Sequence, residues 1–249
     1  MKIIVQNLAT EYKDEGTGKV ILFLHGWQDD LRTFDSLVSI LSSAYRCMRL
    51  DLPGFGQSEL PKVPWDLDTY VLFVKSFVEK FNLEVDTIIG HSFGGRIVIK
   101  GVATKNLQPR KIVLIGSAGV APKRSVRNSI LKVVAKIGGL ITYVPPLLFW
   151  RKELREKMYE YIGSDYGNAG ALKETLLKII SEDLSENAKQ ITVSTLLIWG
   201  ADDTETPLSE GEELSRLIQS SQLKVISGAG HFVHREKAQE VARLMQEFV

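Results

Sequence analysis

Short segments of continuous apolar character are the feature that most restricts how this chain of 249 residues can fold. Such a segment suits a strand buried on both faces, as in a parallel sheet that helices cover. Between the segments, apolar residues recur at helical spacing, most clearly over 69–81 and 97–104. The strand-length segments are 20–24, 87–89, 112–115 and 196–199. This alternation predicts an α/β protein with a mostly parallel central sheet and helices on both faces.

Local patterns add further elements, namely strands at 45–50 and 222–226 and a closing helix at 238–249. Either Asp66 or Asp68 can cap the helix at 69–81, because a carboxylate accepts hydrogen bonds from the amides of a first turn. Cys47 is interpreted as a small core residue of its strand. It is the only cysteine, so no internal disulfide can form and a reducing compartment is expected.

Residues 117–190 depart from the alternation, because they contain helical patterns and turns but no convincing strand. The stretch is too long for an ordinary connection between two strands. It is therefore predicted to be an inserted helical cap, and residues 1–116 and 191–249 are predicted to form the core. Candidate helices of the cap are 126–137, 153–161 and 171–181.

The pentapeptide Gly90-His91-Ser92-Phe93-Gly94 lies between a predicted strand and a predicted helix. A Gly-x-Ser-x-Gly motif in this setting is typical of a nucleophile elbow, a sharp turn that exposes the serine oxygen. The two glycines let the backbones pack closely, and the N-terminus of the following helix favours developing negative charge. A tight turn that happens to contain serine is the alternative.

A serine hydroxyl needs a base, and the chain offers four histidines. His91 occupies the variable position of the elbow and is predicted to point away from the site, and His25 lies in a different loop. His231 directly follows a predicted strand and a glycine-rich turn, so it is favoured as the base. His234 falls in the first turn of the next helix among charged residues.

The base needs a carboxylate to orient it. Asp202 and Asp203 follow the strand at 196–199, whereas the loop after the preceding strand, 116–119, contains no carboxylate. The acid is therefore Asp202 or Asp203, with a helix cap before Pro207 as the alternative role for either.

An oxyanion hole requires two backbone N–H donors near Ser92. The expected donors are Phe93, which follows the nucleophile, and Trp27, in the loop after the strand at 20–24.

Taken together, these residues resemble the α/β-hydrolase superfamily, in the serine esterase/lipase-like branch with a helical cap. The matching pieces are 25–27, 51–58, 90–95, 199–203 with Pro207, and 228–231. In that family the acid usually stands four residues before the proline, which favours Asp203. The resemblance implies a Ser92–His231–Asp203 triad that needs no metal and no cofactor. Serine at position 92 excludes the relatives that use an aspartate or cysteine nucleophile.

The first part of the predicted cap carries seven basic and no acidic residues over 117–152. The basic residues flank an apolar segment, so this region can contact an anionic lipid surface or guide an anionic substrate with an acyl chain. Alternatively, its apolar side simply roofs the pocket. Tyr143, Trp150 and Phe232 are candidates for substrate contact, with a core role as the alternative.

Composition restricts the partners and the location. The formal net charge of +1 argues against nucleic acid as a partner. No apolar run reaches the roughly 18 residues of a membrane span, and the apolar start at 1–6 is too short for a signal peptide. A cytoplasmic protein is expected.

The expected substrate is a small to medium carboxylic ester, with lactones and thioesters as close variants. The fold serves many chemistries, so two alternatives stay open. One is a hydrolase of carbon–carbon or amide bonds with the same triad. The other is a ligand-binding protein on a hydrolase scaffold, which would be expected to have a damaged triad.

Overall fold

The computed structural model describes residues 1–120 and 169–249. Within these residues eight strands form one sheet, and helices lie before, between and after them. The strands are β1 (Lys2–Val5), β2 (Leu8–Glu15), β3 (Val20–Leu24), β4 (Arg46–Leu50), β5 (Val85–His91), β6 (Lys111–Ile115), β7 (Ser194–Gly200) and β8 (Ser221–Ile226). The helices are α1 (Asp35–Leu41), α2 (Leu67–Lys80), α3 (Phe93–Ala103), α4 (Lys173–Ser181), α5 (Ser185–Lys189), α6 (Leu208–Leu217), α7 (Val233–Glu236) and α8 (Ala238–Phe248). Single 3-10 turns occupy Leu31–Phe34 and Gly170–Leu172.

The order of the strands in the sheet is β1-β2-β4-β3-β5-β6-β7-β8. The pairs from β4 to β8 are parallel, whereas β1 and β2 join the edge as antiparallel strands. Leu24 pairs with Gly90, and Gly90 pairs with Leu114, so these strands end at one level. The prediction of a mostly parallel α/β sheet is confirmed. The loops that follow the parallel strands gather at the carboxyl ends of those strands, and "sheet edge" refers to that end below.

Alternate residues of the central strands belong to two separate cores. In β3, Leu22 and Leu24 pack on one face of the sheet with helices α2, α3 and α6. Ile21 and Phe23 pack on the other face with α1 and α8. All four are fully buried, which explains why these strands lack polar alternation. Cys47 belongs to the second core, as predicted.

The hairpin of β1 and β2 is absent from the sequence predictions. Its two turn residues, Gln6 and Asn7, both have positive φ angles, of 47° and 64°. Such a two-residue turn matches the twist of the paired strands. Most of β2 is only partly buried, because it lies near the edge of the sheet, so it carries no continuous apolar segment.

Helix boundaries differ from the predictions where tertiary contacts decide them. Asp66, not Asp68, caps α2, because its carboxylate accepts a hydrogen bond of 2.9 Å from the amide of Thr69. The helix predicted at 97–104 begins four residues earlier, at Phe93. Gly94 and Gly95 hide its first turn in the sequence, because glycine disfavours helices.

Of the predicted cap, the structure describes 117–120 and 169–190. The described part contains α4 and α5, and the helix expected at 171–181 is observed as a 3-10 turn followed by α4. The helices expected at 126–137 and 153–161 lie outside the described residues. The division into core and cap stays a prediction.

The segment around α4 is attached to the core by buried polar contacts. Arg96 of α3 donates to the carbonyl oxygens of Ile179, at 2.6 Å, and of Glu182. Lys100, one turn further along α3, bridges Asp68 at 2.7 Å and Glu182 at 2.6 Å. The helix that begins at the elbow therefore also fixes the chain that leaves the predicted cap.

Replacing Arg96 with methionine is expected to lower the free energy of unfolding by about 1–3 kcal/mol, because the carbonyls at the end of α4 lose a buried donor. Chemical denaturation at neutral pH measures this effect. Arg110→Met is the matched control, since Arg110 is exposed. Equal stability of the two variants would contradict the assignment.

Candidate active site

Ser92 occupies a turn of one residue between β5 and α3, with φ 50° and ψ −111°. A positive φ is unfavourable for a residue with a side chain, so the turn is strained. It is held from both sides. The Ser92 amide donates to the carbonyl of Ile115 in β6, at 3.1 Å, and the Ser92 carbonyl accepts from Gly95 at 3.0 Å.

Close backbone contacts explain the two glycines of the pentapeptide. A Cβ atom on Gly90 would lie 2.6 Å from the amide nitrogen of Gly95, and one on Gly94 would lie 2.1 Å from the carbonyl oxygen of Leu24. Neither position can hold a side chain without moving backbone. The sheet and α3 therefore pack tightly around Ser92, as predicted for an elbow.

His231 and Asp203 meet at the same edge of the sheet. His231 follows β8, Asp203 follows β7, and the distance between Nδ1 and Oδ2 is 2.9 Å. Asp202 is exposed, and its described contact is a backbone bond to Ala229. Of the two carboxylates left open by the residue pattern, Asp203 is the one that contacts His231.

Asp203 is a buried but well-bonded carboxylate. Its Oδ1 accepts from the amides of Glu205 and Thr206, both at 2.9 Å. Burial tends to raise its pKa, but the hydrogen bonds and charge of His231 and the bonds from Thr206 outweigh this, so the pKa is lowered. The carboxylate is therefore ionised at neutral pH.

Thr206 is a site residue that the sequence analysis missed. Its hydroxyl lies 2.9 Å from Asp203 Oδ2, 3.1 Å from His231 Nδ1 and 3.0 Å from the carbonyl oxygen of Gly116. It thus ties the acid and the histidine to the loop after β6. A threonine one position before Pro207 gives no sequence signal for this contact.

The prediction that His91 points away from the site is wrong. Its ring centroid lies 4.7 Å from that of His231, and its Nε2 donates to the His231 carbonyl oxygen at 3.1 Å. His91 therefore supports the loop that carries His231. The contact also places the elbow directly beside that loop, because His91 precedes Ser92.

His234 lies in the short helix α7, as expected, and is fully buried. Its Nε2 is 2.9 Å from the hydroxyl of Thr33, and its ring centroid is 4.4 Å from that of His91. Burial lowers the pKa of His234 to about 3 and the pKa of His91 well below its ordinary value. Both are neutral packing residues beneath the site.

His25 connects the loop after β3 to the loop after β4, beside the site. Its Nε2 accepts from the amide of Leu52 at 2.9 Å, and its Nδ1 donates to the carbonyl of Gly26 at 2.7 Å. Burial lowers its pKa. This neutral histidine therefore fixes the loop that contains Trp27.

The two expected oxyanion donors lie on neighbouring backbone segments. Phe93 is the first residue of α3, and the first N–H groups of a helix have no acceptor within it. A Cβ atom on Gly26 would lie 3.4 Å from Ser92 Cβ, so the loop with Trp27 passes beside the serine. The Trp27 and Phe93 ring centroids are 5.6 Å apart.

A cleft of about 360 Å³ opens beside this loop. Aromatic rings form one wall, with the centroids of Trp27 and Phe55 4.9 Å apart. Its lining residues are Trp27, Gln28, Asp29, Asp30, Gly54, Phe55, Gly56, Ala169 and Leu172. A larger space of about 710 Å³ lies at the opposite ends of the strands, away from Ser92.

Phe232 is half-buried beside the site, with its ring centroid 5.4 Å from that of His231. Tyr143 and Trp150, the other predicted substrate contacts, lie outside the described residues.

Over residues 1–120 and 169–249, no group of three or more histidine, cysteine, aspartate or glutamate side chains is placed to hold a metal ion. In those same ranges no helix combines the length and apolar character needed to cross a membrane.

The sequence profile of the alpha/beta hydrolase family matches residues 21–244. The chain belongs to this family. The profile covers nearly all of β3, the strands from β4 to β8, and the residues Ser92, Asp203 and His231. The α/β-hydrolase fold, predicted from the sequence, is thereby confirmed.

Individual relatives span nearly the whole hydrolase. The AB hydrolase superfamily protein YisY of Bacillus subtilis is 27% identical over 95% of this chain and 93% of the relative. The 2-hydroxy-6-oxononadienedioate/2-hydroxy-6-oxononatrienedioate hydrolase 1 of Pseudomonas putida is 26% identical over 98% of this chain and 92% of its own. The crystal structure of a membrane phospholipase A, described as a bacterial virulence factor, superposes with a TM-score of 0.78 at 25% identity, over 100% of this chain and 84% of that one.

Acid is expected to destabilise the hydrolase through its buried histidines. The pKa of His234 is about 3 in the folded chain and rises to its ordinary value of 6.5 on unfolding. The unfolded state therefore binds the extra proton between these values, and stability is lost as pH falls from 6.5 towards 3.

The contribution of His234 is a slope of about 1.4 kcal/mol per pH unit in the free energy of unfolding. Denaturation at several pH values between 4 and 6, in wild type and His234→Gln, tests it. The variant is expected to show the smaller slope, with no difference in slope above pH 8. Identical slopes in both proteins would refute the prediction.

Proposed function

We propose that this hydrolase cleaves carboxylic esters of small to medium acyl groups through an acyl-enzyme on Ser92. His231 acts as the base, and Asp203 orients it. The observation that carries the proposal is the strained Ser92 turn at the same sheet edge as the bonded His231–Asp203 pair. Lactones and thioesters offer the same electrophilic carbonyl and belong to the same proposal.

The reaction proceeds in two transfers. Ser92 Oγ attacks the carbonyl carbon while His231 Nε2 takes the hydroxyl proton, and the alcohol then leaves with that proton. Water attacks the acyl-enzyme in the same way, which releases the acid and restores Ser92. The Nδ1–H of His231 donates to Asp203, so Nε2 keeps the lone pair that a base requires.

The backbone amides of Trp27 and Phe93 stabilise the oxyanion of each tetrahedral intermediate. The positive end of the α3 dipole lies at Phe93 and adds to this stabilisation. In comparable sites the loss of one donor slows catalysis by about 10² to 10³. The cleft beside Trp27 receives one part of the ester.

A second candidate is hydrolysis of a carbon–carbon bond, because the Pseudomonas putida relative is named a hydrolase of 2-hydroxy-6-oxo dienedioates and trienedioates. The phospholipase A structure favours ester cleavage at comparable identity. The loop at 27–30, Trp-Gln-Asp-Asp, lacks the Gly-Pro-Gly sequence usual in the carbon–carbon hydrolases. This difference supports ester hydrolysis over cleavage of a carbon–carbon bond. The substrate is a small molecule in either case.

The predicted cap supplies the remainder of the pocket in this proposal. Its basic residues over 117–152 are proposed to contact an anionic lipid surface. The cytoplasmic location is a second proposal, and it likewise rests on the sequence.

Hydrolysis of p-nitrophenyl esters of graded acyl length tests the central proposal. Wild type is expected to turn over at least one ester, and Ser92→Ala is expected to lose about a thousandfold or more of kcat, because no nucleophile remains. Ser209→Ala, at an exposed serine of α6, is the matched control. If the wild type cleaved no ester but cleaved a carbon–carbon bond of a 2-hydroxy-6-oxodienoate, the result would support the carbon–carbon candidate instead.

Thr206 is expected to act as a positioning residue. Replacement by valine removes the hydroxyl that joins Asp203, His231 and Gly116, so kcat is expected to fall roughly tenfold with little change in KM. Thr206→Ser keeps the hydroxyl and is expected to retain most of the activity. A purely structural role would lower thermal stability in both variants and leave kcat of the folded fraction unchanged.

A further inference from the structure

We infer that Glu205 and Asp29 make this site select uncharged or cationic esters against anionic ones. The inference rests on the proposed ester hydrolysis and names the substrate class for the same site. Two carboxylates of the described residues carry it, one beside the base and one in the cleft.

Glu205 lies on the loop after β7, and its Oε2 is 3.6 Å from His231 Nε2. That nitrogen is the one that exchanges protons with Ser92 and the leaving group in the proposed reaction. The amide of Glu205 is fixed to Asp203 at 2.9 Å, so the backbone cannot swing away easily. The side chain is 60% exposed, so its carboxylate reaches solvent beside the base.

Asp29 supplies the second charge. It lines the cleft beside Trp27, and its Oδ1 accepts from the amide of Asp30 at 2.9 Å. Its Oδ2 is buried and has no hydrogen-bond partner. No cation pairs with this carboxylate within the described ranges, whereas neighbouring Asp30 is neutralised by Arg32 at 2.5 Å.

Arg96 of α3 is engaged elsewhere. Arg96 is buried and donates to carbonyls of the α4 segment. Glu205 and Asp29 therefore place two carboxylates on the described face of the site. A substrate with a second carboxylate would bring like charges together in a partly desolvated cleft, where such repulsion is stronger than in bulk water.

Glu205 affects the two substrate classes differently. The imidazolium that forms on His231 in the transition state is stabilised by a carboxylate 3.6 Å away, whichever ester reacts. With an anionic substrate the same stabilisation is present, but the substrate carboxylate is also repelled by Glu205. This selection distinguishes the chain from relatives whose names describe dienoate or dienedioate substrates, since those carry carboxylates.

The basic residues at 117–152 predict the opposite preference if they face the substrate. The two predictions are separable, because one depends on Glu205 and Asp29 and the other does not.

The experiment compares three ethyl esters with four-carbon acyl groups, followed by pH-stat titration: butyrate, which is neutral, hemisuccinate, which is anionic, and 4-trimethylammoniobutyrate, which is cationic and cannot cyclise. Wild type is expected to favour butyrate over hemisuccinate in kcat/KM by about tenfold or more at low salt. Glu205→Gln and Asp29→Asn are each expected to reduce that ratio severalfold, and 0.5 M NaCl is expected to reduce it in wild type by screening.

Glu240→Gln is the matched control, because it removes the same charge from an exposed position on α8. Glu205→Gln is also expected to move the acidic limb of the pH profile to lower pH, a change that a merely structural role would not produce. Equal or faster cleavage of hemisuccinate by wild type, or an unchanged ratio in both variants, would overturn the inference while leaving ester hydrolysis intact. Inactivity of wild type on all three esters would overturn the proposed function and the inference with it.

Discussion

The strained backbone of Ser92 is the constraint around which the rest of the site is arranged. A conformation of this kind costs about 1–3 kcal/mol, so it persists only where neighbouring structure enforces it. Here β5 is buried along nearly its whole length, and β6 accepts the Ser92 amide. The glycines at 90 and 94 remove the two side chains that would prevent this approach. The parallel sheet thus supplies the energy that holds one serine oxygen at its edge.

Burial and charge together distinguish one histidine from the other three. Burial is the largest cause that lowers the pKa of His25, His91 and His234, which keeps them neutral and suited to packing. Among the described residues, His231 is the histidine that contacts carboxylates, with Asp203 at Nδ1 and Glu205 near Nε2. A carboxylate partner stabilises the protonated form that a base must adopt during turnover. The same edge therefore contains one reactive imidazole and three structural ones.

The sequence predicts the parallel part of the sheet well, because strands buried on both faces must be apolar throughout. The strand expected at 20–24 is observed with those bounds, and the other predicted strands differ by one or two residues at one or both ends. The β1–β2 hairpin escapes prediction because an edge strand with a half-exposed face carries no such pattern. The sequence pattern places the start of α3 four residues too late, because the glycines that permit close packing also disfavour helices.

At the site, the sequence identifies residues whose motif position fixes them, such as Ser92 and the choice between two aspartates. It does not give side-chain directions that depend on contacts between distant loops. His91 turns towards His231 because the loop after β8 folds over the elbow. Thr206 reaches three segments at once, and a single threonine hydroxyl has no pattern that reveals this.

One short loop after β7 contains both the part of the site that is fixed and a part that is free to vary. Asp203 accepts hydrogen bonds from the backbone amides of Glu205 and Thr206, so its position does not depend on which side chain stands at 205. The Glu205 carboxylate projects instead towards His231 Nε2 and the solvent. A different residue there would alter the charge beside the reacting atoms without disturbing the orientation of the imidazole. This separation of geometry from charge offers a physical reason why hydrolases of one fold can keep their catalytic arrangement while their substrates differ.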